Sequence, residues 1–160
     1  MITERPRNLD SPVVAALMKY GSRAQAWAYR RTRGRIGGTW RIGAGFRKPV
    51  PTLLLEHQGR RSGNWFTVPL LYITDGADLV VVASQGGRAE NPQWYRNLVV
   101  HPDAFVQVGR DRRAVRARDA SPEERARLWP ELVDAYADFD AYQSWTSRRI
   151  PVVILTPAVD

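Results

Sequence analysis

A short arginine-rich turn is the first part of this sequence whose residue types could do chemistry. Gly59-Arg60-Arg61-Ser62-Gly63 places two guanidinium groups, a hydroxyl and backbone N–H groups between two apolar runs, a combination that can bind phosphate or carboxylate groups. A turn with two arginines can equally be a solvated hairpin tip. The binding interpretation is favoured by a second glycine-rich loop, Ala83-Ser84-Gln85-Gly86-Gly87, at the end of the apolar run LVVVAS, because loops at strand ends are where rigid scaffolds present ligand-binding groups.

Two further segments combine aromatic and polar side chains. Asn91-Pro92-Gln93-Trp94-Tyr95-Arg96-Asn97 reads as the start of a helix with Asn91 as its cap, and the N-terminus of a helix favours anions. The other segment carries Tyr136, Phe139, Tyr142, Gln143 and Trp145. If it stays helical, the first three rings lie near one face; this group predicts either a binding wall or a stripe of ordinary core packing.

The composition leaves redox chemistry to a borrowed cofactor. The chain has no cysteine, so it has no disulfide and no thiolate nucleophile. His57 and His101 have no second ligand three or four residues away, so we expect no metal site. The sequence lacks a Ser-His-Asp order, paired catalytic carboxylates, a Walker loop and a GxGxxG motif after a strand, which argues against the hydrolase, kinase and Rossmann classes.

The charge favours an anionic partner without identifying it. The formal net charge is +8, and arginine supplies nearly all of the basic groups because Lys19 and Lys48 are the only lysines. Planar guanidinium groups suit phosphates and carboxylates. Nucleic acid, an anionic lipid surface and a polyanionic cofactor all remain open at this point.

The hydrophobic pattern predicts a single α+β domain over residues 1–160. Residues 1–50 read as a helix from Ser11 to about Arg31 followed by a basic loop, and residues 51–160 read as a barrel. Six apolar runs bounded by turn residues predict about six mostly antiparallel strands with flanking helices. The start of the chain has no apolar signal segment, and no run of about 18 apolar residues follows, so we expect a cytoplasmic protein.

Three long runs then resemble a known family. The runs are LLLEHQGRRSGNWFTVPLLY, VVASQGGRAENPQWYRNLVVHPD and ARDASPEERARLWPELVDAYADFDAYQSWTSRRIPVVILTP. In this order, and together with SPVV and WAYRR near the start, they are similar to the deazaflavin-dependent nitroreductase family of actinobacteria. The resemblance implies a split β-barrel like that of flavin-binding reductases, coenzyme F-420 as the hydride carrier, and quinones or nitro compounds as acceptors.

The resemblance also implies which residues form the site. It places the phosphate-binding turn at Arg60, Arg61 and Ser62 and the strand that cradles the ring at Phe66, Thr67, Val68, Pro69, Leu70 and Leu71. It places the next wall at Val82, Ala83, Ser84 and Gln85, a helix contribution at Gln93, Trp94, Tyr95, Arg96 and Asn97, and the acceptor-side hydroxyls at Ser84, Tyr136 and Tyr142. Phe139 stands where the best-known nitroimidazole-activating member has a third tyrosine. It keeps the aromatic wall but has no hydroxyl to donate, which favours quinones over nitroimidazoles.

Several alternatives stay open. A basic nucleic-acid or membrane-surface module would use the charge without a pocket. The same barrel could instead hold flavin mononucleotide, or carry its coenzyme without turnover. The N-terminal helix could dock on the barrel, cover the acceptor or contact a membrane surface.

Overall fold

The computed structural model of the protein describes residues 4–40 and 49–159, apart from the side chain of Trp40. Its helices are α1 (Pro12–Thr32), α2 (Gln93–Val100), α3 (Pro122–Ala135) and α4 (Asp138–Trp145), and a short 3-10 turn spans Gln85–Gly87. Its strands are β1 (Thr39–Trp40), β2 (Val50–Gln58), β3 (Trp65–Leu71), β4 (Ile73–Asp75), β5 (Asp78–Val82), β6 (Asp103–Val108), β7 (Asp111–Asp119) and β8 (Val152–Pro157).

The strands form one curled antiparallel sheet. Along the sheet the order is β1, β2, β6, β7, β8, β5 and β4, while β3 also pairs with β2. Every strand pair in the described part of the chain is antiparallel. The predicted α+β split barrel is therefore confirmed. The six predicted strands correspond to β2, β3, β5, β6, β7 and β8, and the structure adds the very short β1 and β4.

Strand β2 is apolar because it is covered on both faces. Its side chains alternate between the two faces of the sheet, so Leu53 and Leu55 enter the barrel core while Leu54 packs against Ala26 and Tyr29 of α1. Strand β5 repeats this arrangement, with Val81 inside the barrel and Val80 in the cluster beneath α3 and α4. Each fully buried side chain of this kind contributes roughly 1.5–3 kcal/mol.

Helix α1 begins and docks as its sequence dictates. Ser11 caps it by accepting a hydrogen bond from the N–H of Val14, and a proline at the first position needs no N–H partner. Near the other end, the buried Tyr29 hydroxyl accepts from the N–H of Gly109 at 2.7 Å and donates to the carbonyl of Gln107 at 3.3 Å. These bonds fasten α1 to the β6–β7 hairpin.

Two local predictions need correction, and one is confirmed. The cap position of α2 is Pro92, whereas the side chain of Asn91 accepts a hydrogen bond from Arg148. The predicted basic loop after α1 contains strand β1, while residues 41–48 of that loop lie outside the described residues. The capping box of α3 is present: Glu124 N donates to Ser121 Oγ and Ser121 N donates to Glu124 Oε2.

Candidate functional site

The arginine turn between β2 and β3 is fastened to helix α2 through Arg60. Asn97 Oδ1 accepts hydrogen bonds from the backbone N of Arg60 at 3.1 Å and from its Nη1 at 2.9 Å. Gln93 Oε1 accepts from the same Nη1 at 2.8 Å. The structure thus brings together two segments that the sequence singled out separately, and it leaves Arg61 and Ser62 exposed at the tip of the turn.

A buried histidine supports this turn, and the sequence analysis considered it only as a metal ligand. His57 Nδ1 lies 3.1 Å from Asn97 Nδ2, so the ring accepts from the amide and carries its own proton on Nε2. Burial lowers the pKa of His57 to about 4, which keeps the ring neutral at pH 7. The signal was available in the strand alternation, because position 57 shares the inward face of β2 with Leu53 and Leu55.

Strand β3 provides an open apolar wall. Among the described strands it pairs with β2 alone, which is where a proline such as Pro69 is tolerated. Phe66 is 44% exposed, and its ring stacks on His57 with centroids 5.9 Å apart. The rest of the predicted ring-binding strand is half-buried, namely Thr67, Val68, Pro69, Leu70 and Leu71. A flat aromatic ligand could therefore cover this wall.

A groove of about 540 Å³ runs between α1 and the start of β3. Its walls combine cationic and aromatic side chains, including Arg23, Arg30, Arg31, Trp27, Trp65 and Phe66. Arg30 spans the groove, since its Nη2 donates to Thr67 Oγ1 at 2.6 Å and to Glu56 Oε1 at 3.2 Å. Hydrogen bonds and positive charge from Arg112, and to a smaller extent from Arg30, lower the pKa of Glu56, so this carboxylate stays ionised. The groove and the arginine turn lie at the same end of β3.

The loop after β5 carries an unsatisfied polar group. Val82 and Ala83 are buried and pack into the protein, and Ser84 is 9% exposed. Gln85 has a left-handed backbone with φ of 45°, and its buried Oε1 has no hydrogen-bond partner in the described part of the chain. Strained backbones of this kind, and buried polar atoms without a hydrogen-bond partner, are often found at functional sites. This loop therefore suits a bound group that donates a hydrogen bond.

The predicted aromatic cluster forms across a break between two helices. Tyr136 follows the end of α3, while Phe139 and Tyr142 lie on α4. The Phe139 ring meets the Tyr136 ring edge-on with centroids 5.0 Å apart, and the hydroxyls of Tyr136 and Tyr142 are 2.8 Å apart. One continuous helix is thus not needed to bring these rings together.

The two tyrosine hydroxyls stay protonated. Burial raises the pKa of Tyr136 and of Tyr142, so these groups act as neutral hydrogen-bond donors and not as acids. Tyr136 also lies 3.2 Å from Asp138 Oδ2, to which it can donate. In the 2.8 Å contact between the two hydroxyls either oxygen can be the donor.

The three predicted side chains between Gln93 and Asn97 on helix α2 make their contacts within the protein. Trp94 is buried in the barrel core, the hydroxyl of Tyr95 donates to Asp119 Oδ2 at 2.9 Å, and Arg96 pairs with Glu90 at 3.2 Å. Of the five predicted α2 residues, Gln93 and Asn97 are the ones that reach the arginine turn. Within residues 4–40 and 49–159, no group of three or more His, Asp or Glu side chains could hold a metal ion.

Comparison with known proteins shows the family to which the chain is similar. The sequence profile of the F-420H2-dependent quinone reductase family matches residues 21–157. A Mycobacterium tuberculosis protein provisionally named an F-420H2-dependent quinone reductase is 68% identical over 117 residues, covering 73% of this chain and 98% of that protein. A second M. tuberculosis protein, named an F-420H2-dependent quinone reductase, is 41% identical over 131 residues, covering 80% of this chain and 84% of that protein.

Solved structures give the same answer for the fold. The structure described as an F-420H2-dependent reductase superposes with a TM-score of 0.61 at 34% identity and covers 72% of this chain and 99% of that chain. Another, described as a domain-swapped dimer, superposes with a TM-score of 0.63 at 32% identity, covering 83% of this chain and 95% of that one. The family resemblance read from the sequence is confirmed: this chain belongs to the F-420H2-dependent quinone reductase family.

Proposed function

We propose that this protein binds reduced coenzyme F-420 and uses it to reduce a quinone. The observation that carries the proposal is the preorganised arginine turn: Asn97 holds both the backbone and the side chain of Arg60 and leaves Arg61 exposed beside it. A turn fixed in this way can receive phosphate oxygens with little ordering of its own. The family to which the chain belongs supports the same coenzyme.

The described residues fit the parts of this coenzyme. Cationic side chains for its anionic groups lie at one end of β3, in the arginine turn and in the groove lined by Arg23, Arg30 and Arg31. The half-buried apolar strand β3 offers a wall for the ring. In the loop after β5, the orphaned Oε1 of Gln85 can accept from a polar edge of a bound ring.

The protein's contribution to the reaction is orientation and charge stabilisation. The bound coenzyme supplies a hydride from its ring carbon. The acceptor oxygen gains negative charge as the hydride arrives, and a hydroxyl aimed at that oxygen stabilises the transition state by roughly 2.7–4 kcal/mol. We assign this donation to Ser84 and to Tyr142, whose proton faces the acceptor, while Tyr136 supports Tyr142 by donating to it across the 2.8 Å contact.

Quinones suit this site better than nitro compounds. Phe139 completes the aromatic cluster with its ring edge on Tyr136 and contributes no hydroxyl. A nitro group develops charge on two oxygens and gains from a third donor, whereas a quinone presents one carbonyl oxygen at a time. We therefore propose quinone reduction as the main activity and nitro reduction as a minor one.

Helix α1 is proposed to meet the apolar tail of the quinone or a membrane surface. Val13, Leu17, Tyr20 and Trp27 follow helical spacing along one face and are each more than 60% exposed. Arg23 and Arg30 flank this face and Arg31 lies in line with it at its C-terminal end, as in helices that lie on anionic lipid surfaces. No helix in the described ranges is long and apolar enough to cross a membrane. We propose that the protein works in the cytoplasm, with peripheral contact through α1.

Binding and turnover together test the proposal. Fluorescence polarisation with F-420 and with flavin mononucleotide measures which coenzyme binds, and stopped-flow oxidation of reduced F-420 by a quinone measures turnover. We expect tight binding of F-420 alone and rapid oxidation by the quinone. Preference for flavin mononucleotide, or F-420 binding without turnover by any quinone, would contradict the proposal. Salt-steep DNA binding without coenzyme binding would favour a nucleic-acid module.

The contact of α1 is tested separately with Val13→Ser combined with Leu17→Ser, since Trp27 also lines the groove beside β3. Both side chains are 68% exposed, so the fold is expected to survive. The double variant should lose association with anionic vesicles and lose turnover of a long-tailed quinone relative to a tailless one. Equal turnover of the two quinones in both proteins would contradict a role for this face.

A further inference from the structure

Arg148, between α4 and β8, holds the whole loop that follows β5. Its Nε donates to the carbonyl of Arg88 at 2.9 Å, and its Nη2 donates to the carbonyl of Ser84 at 2.8 Å. Its Nη1 donates both to the carbonyl of Ala83 at 3.2 Å and to Asn91 Oδ1 at 2.8 Å. All three nitrogens of one guanidinium group thus bind acceptors spread over residues 83–91.

Two of the acceptors are the carbonyls of consecutive residues, so their bonds to Arg148 constrain the backbone between them. The carbonyls of Ala83 and Ser84 belong to the two peptide planes on either side of the Ser84 Cα. Fixing both planes fixes the φ and ψ angles of Ser84, and these angles set the direction in which its side chain leaves the backbone. The bond to the Ser84 carbonyl also fixes the peptide plane that precedes Gln85, whose backbone is left-handed with φ of 45°. Arg148 therefore sets the direction of the Ser84 Cα–Cβ bond, from which the hydroxyl reaches its position by rotation about χ1 alone.

Arg148 is also fastened to the helix that carries Tyr142. Its own backbone carbonyl accepts from Gln143 Nε2 at 2.8 Å. The loop and α4 touch directly at Gly87, where an added Cβ would lie 2.9 Å from the carbonyl oxygen of Tyr142. One residue thus binds the Ser84 loop through its side chain and the Tyr142 helix through its backbone.

The binding is of a kind that only a guanidinium group can make. Burial lowers the pKa of Arg148, yet an arginine remains charged, and among the described residues its side chain donates to carbonyl and amide oxygens and not to a carboxylate. A lysine has the charge but is a single point donor on a flexible stem. It could not hold acceptors in the three directions that the planar fork covers.

We propose that Arg148 is a positioning residue that fixes Ser84 relative to Tyr142, so that both hydroxyls meet the same acceptor. The expected loss of turnover rests on the proposed function. The hold of Arg148 on the loop does not depend on a bound coenzyme. A misplacement of about 1 Å at a reacting group can lower a rate by about 10²-fold. We expect a loss of that order in kcat/KM for the quinone when the fork is removed.

The test compares Arg148→Lys and Arg148→Met with a matched control, Arg149→Met, which removes the neighbouring exposed arginine. Amide hydrogen exchange without coenzyme should accelerate in residues 83–91 in both Arg148 variants, while strand β2 keeps its protection. F-420 affinity should weaken by at most about tenfold, the loss of the one hydrogen bond assigned to Gln85, whereas kcat/KM for the quinone should fall roughly a hundredfold. The control should match the wild-type protein in all three measurements.

Several outcomes would overturn the proposal. Wild-type exchange and wild-type kcat/KM in Arg148→Lys would do so, because the lysine lacks the fork. An equal rise of exchange throughout the chain, or failure of both variants to fold, would show that Arg148 serves general stability and not the loop. If the wild-type protein turned over no quinone, the proposed function would fail, while the exchange measurement would still decide whether Arg148 holds the loop.

Discussion

The side-chain amide of Asn97 lies between the buried ring of His57, 3.1 Å away, and the arginine turn, where its oxygen accepts two hydrogen bonds from Arg60. An amide can serve both neighbours because its nitrogen donates and its oxygen accepts. The neutral ring of His57 therefore selects the orientation of the amide that faces its oxygen toward Arg60. The order in the arginine turn is thus set from inside the barrel.

Acid should destabilise the protein through His57. Burial holds the pKa of His57 at about 4 in the folded protein, below the ordinary value of 6.5. Since the unfolded chain binds the proton first, stability is highest above pH 6.5 and falls by about 3 kcal/mol as the pH drops from 6.5 to 4. His57→Gln, which keeps an acceptor for Asn97, should remove most of this slope. Urea unfolding across that pH range checks it, with His101→Gln as the control; an unchanged slope in His57→Gln would contradict the assignment.

The two arginines of the turn should respond differently to replacement by alanine. Arg61 is exposed, so Arg61→Ala should weaken F-420 binding and leave the melting temperature unchanged. Arg60→Ala should weaken binding as well, and it should also lower the free energy of unfolding by about 1–2 kcal/mol, because Asn97 Oδ1 loses its charged donor and keeps only the backbone N–H of residue 60. Polarisation and thermal melts of the same samples measure both effects. Unchanged F-420 affinity in a protein that carries both Arg60→Ala and Arg61→Ala would rule out the phosphate-binding role.

The acceptor-side hydroxyls should affect turnover and not coenzyme binding. Ser84→Ala and Tyr142→Phe should each lower kcat for quinone reduction by roughly tenfold to a thousandfold if they donate in the transition state. Phe139→Tyr restores a donor in the aromatic cluster, so it should keep quinone turnover and raise nitro reduction. Single-turnover oxidation of reduced F-420 measures the three variants. If the single-turnover rate is unchanged in all three variants, these side chains only line the pocket and do not stabilise the transition state.

Local sequence patterns predicted the helices and strands of this fold. The features that these patterns missed depend on contacts between residues far apart in the sequence. The alternation in β2 and the capping box at Ser121 depend on neighbours in sequence, so both could be read directly. The bonds of Arg148 to residues 83–91 span about 60 positions, and nothing in the run TSRRIP distinguishes Arg148 from Arg149. Only the folded loop shows which of the two is half-buried.

In the candidate site, too, the sequence identified residues but not their long-range contacts. The family resemblance supplied its residues, including Gln85, but not the left-handed backbone and orphaned oxygen of that side chain. Likewise, Asn91 was read as a helix cap from its place before a proline. Its oxygen instead accepts from Arg148, and a competing partner far along the chain cannot be read from local sequence.

The contact between the Ser84 loop and α4 can be tested with two neighbouring glycines. Gly86 and Gly87 both have left-handed backbones, with φ of 64° and 76°, so an alanine at either position carries a conformational cost of about 1–2 kcal/mol. They differ in their surroundings. A Cβ at Gly86 would meet no heavy atom within 4 Å, whereas one at Gly87 would lie 2.9 Å from the carbonyl oxygen of Tyr142 and 3.1 Å from the Trp145 ring.

Gly87→Ala should therefore push α4 away from the loop, and Gly86→Ala should not. We expect Gly87→Ala to lose about 1–3 kcal/mol more stability than Gly86→Ala in urea unfolding, the usual cost of forcing an extra carbon into a packed contact. Because the displaced helix carries Tyr142, kcat for quinone reduction should fall in Gly87→Ala by more than the lost stability explains, while F-420 affinity is kept. Equal stability and equal kcat in the two variants would show that the contact between the loop and α4 does not position the acceptor.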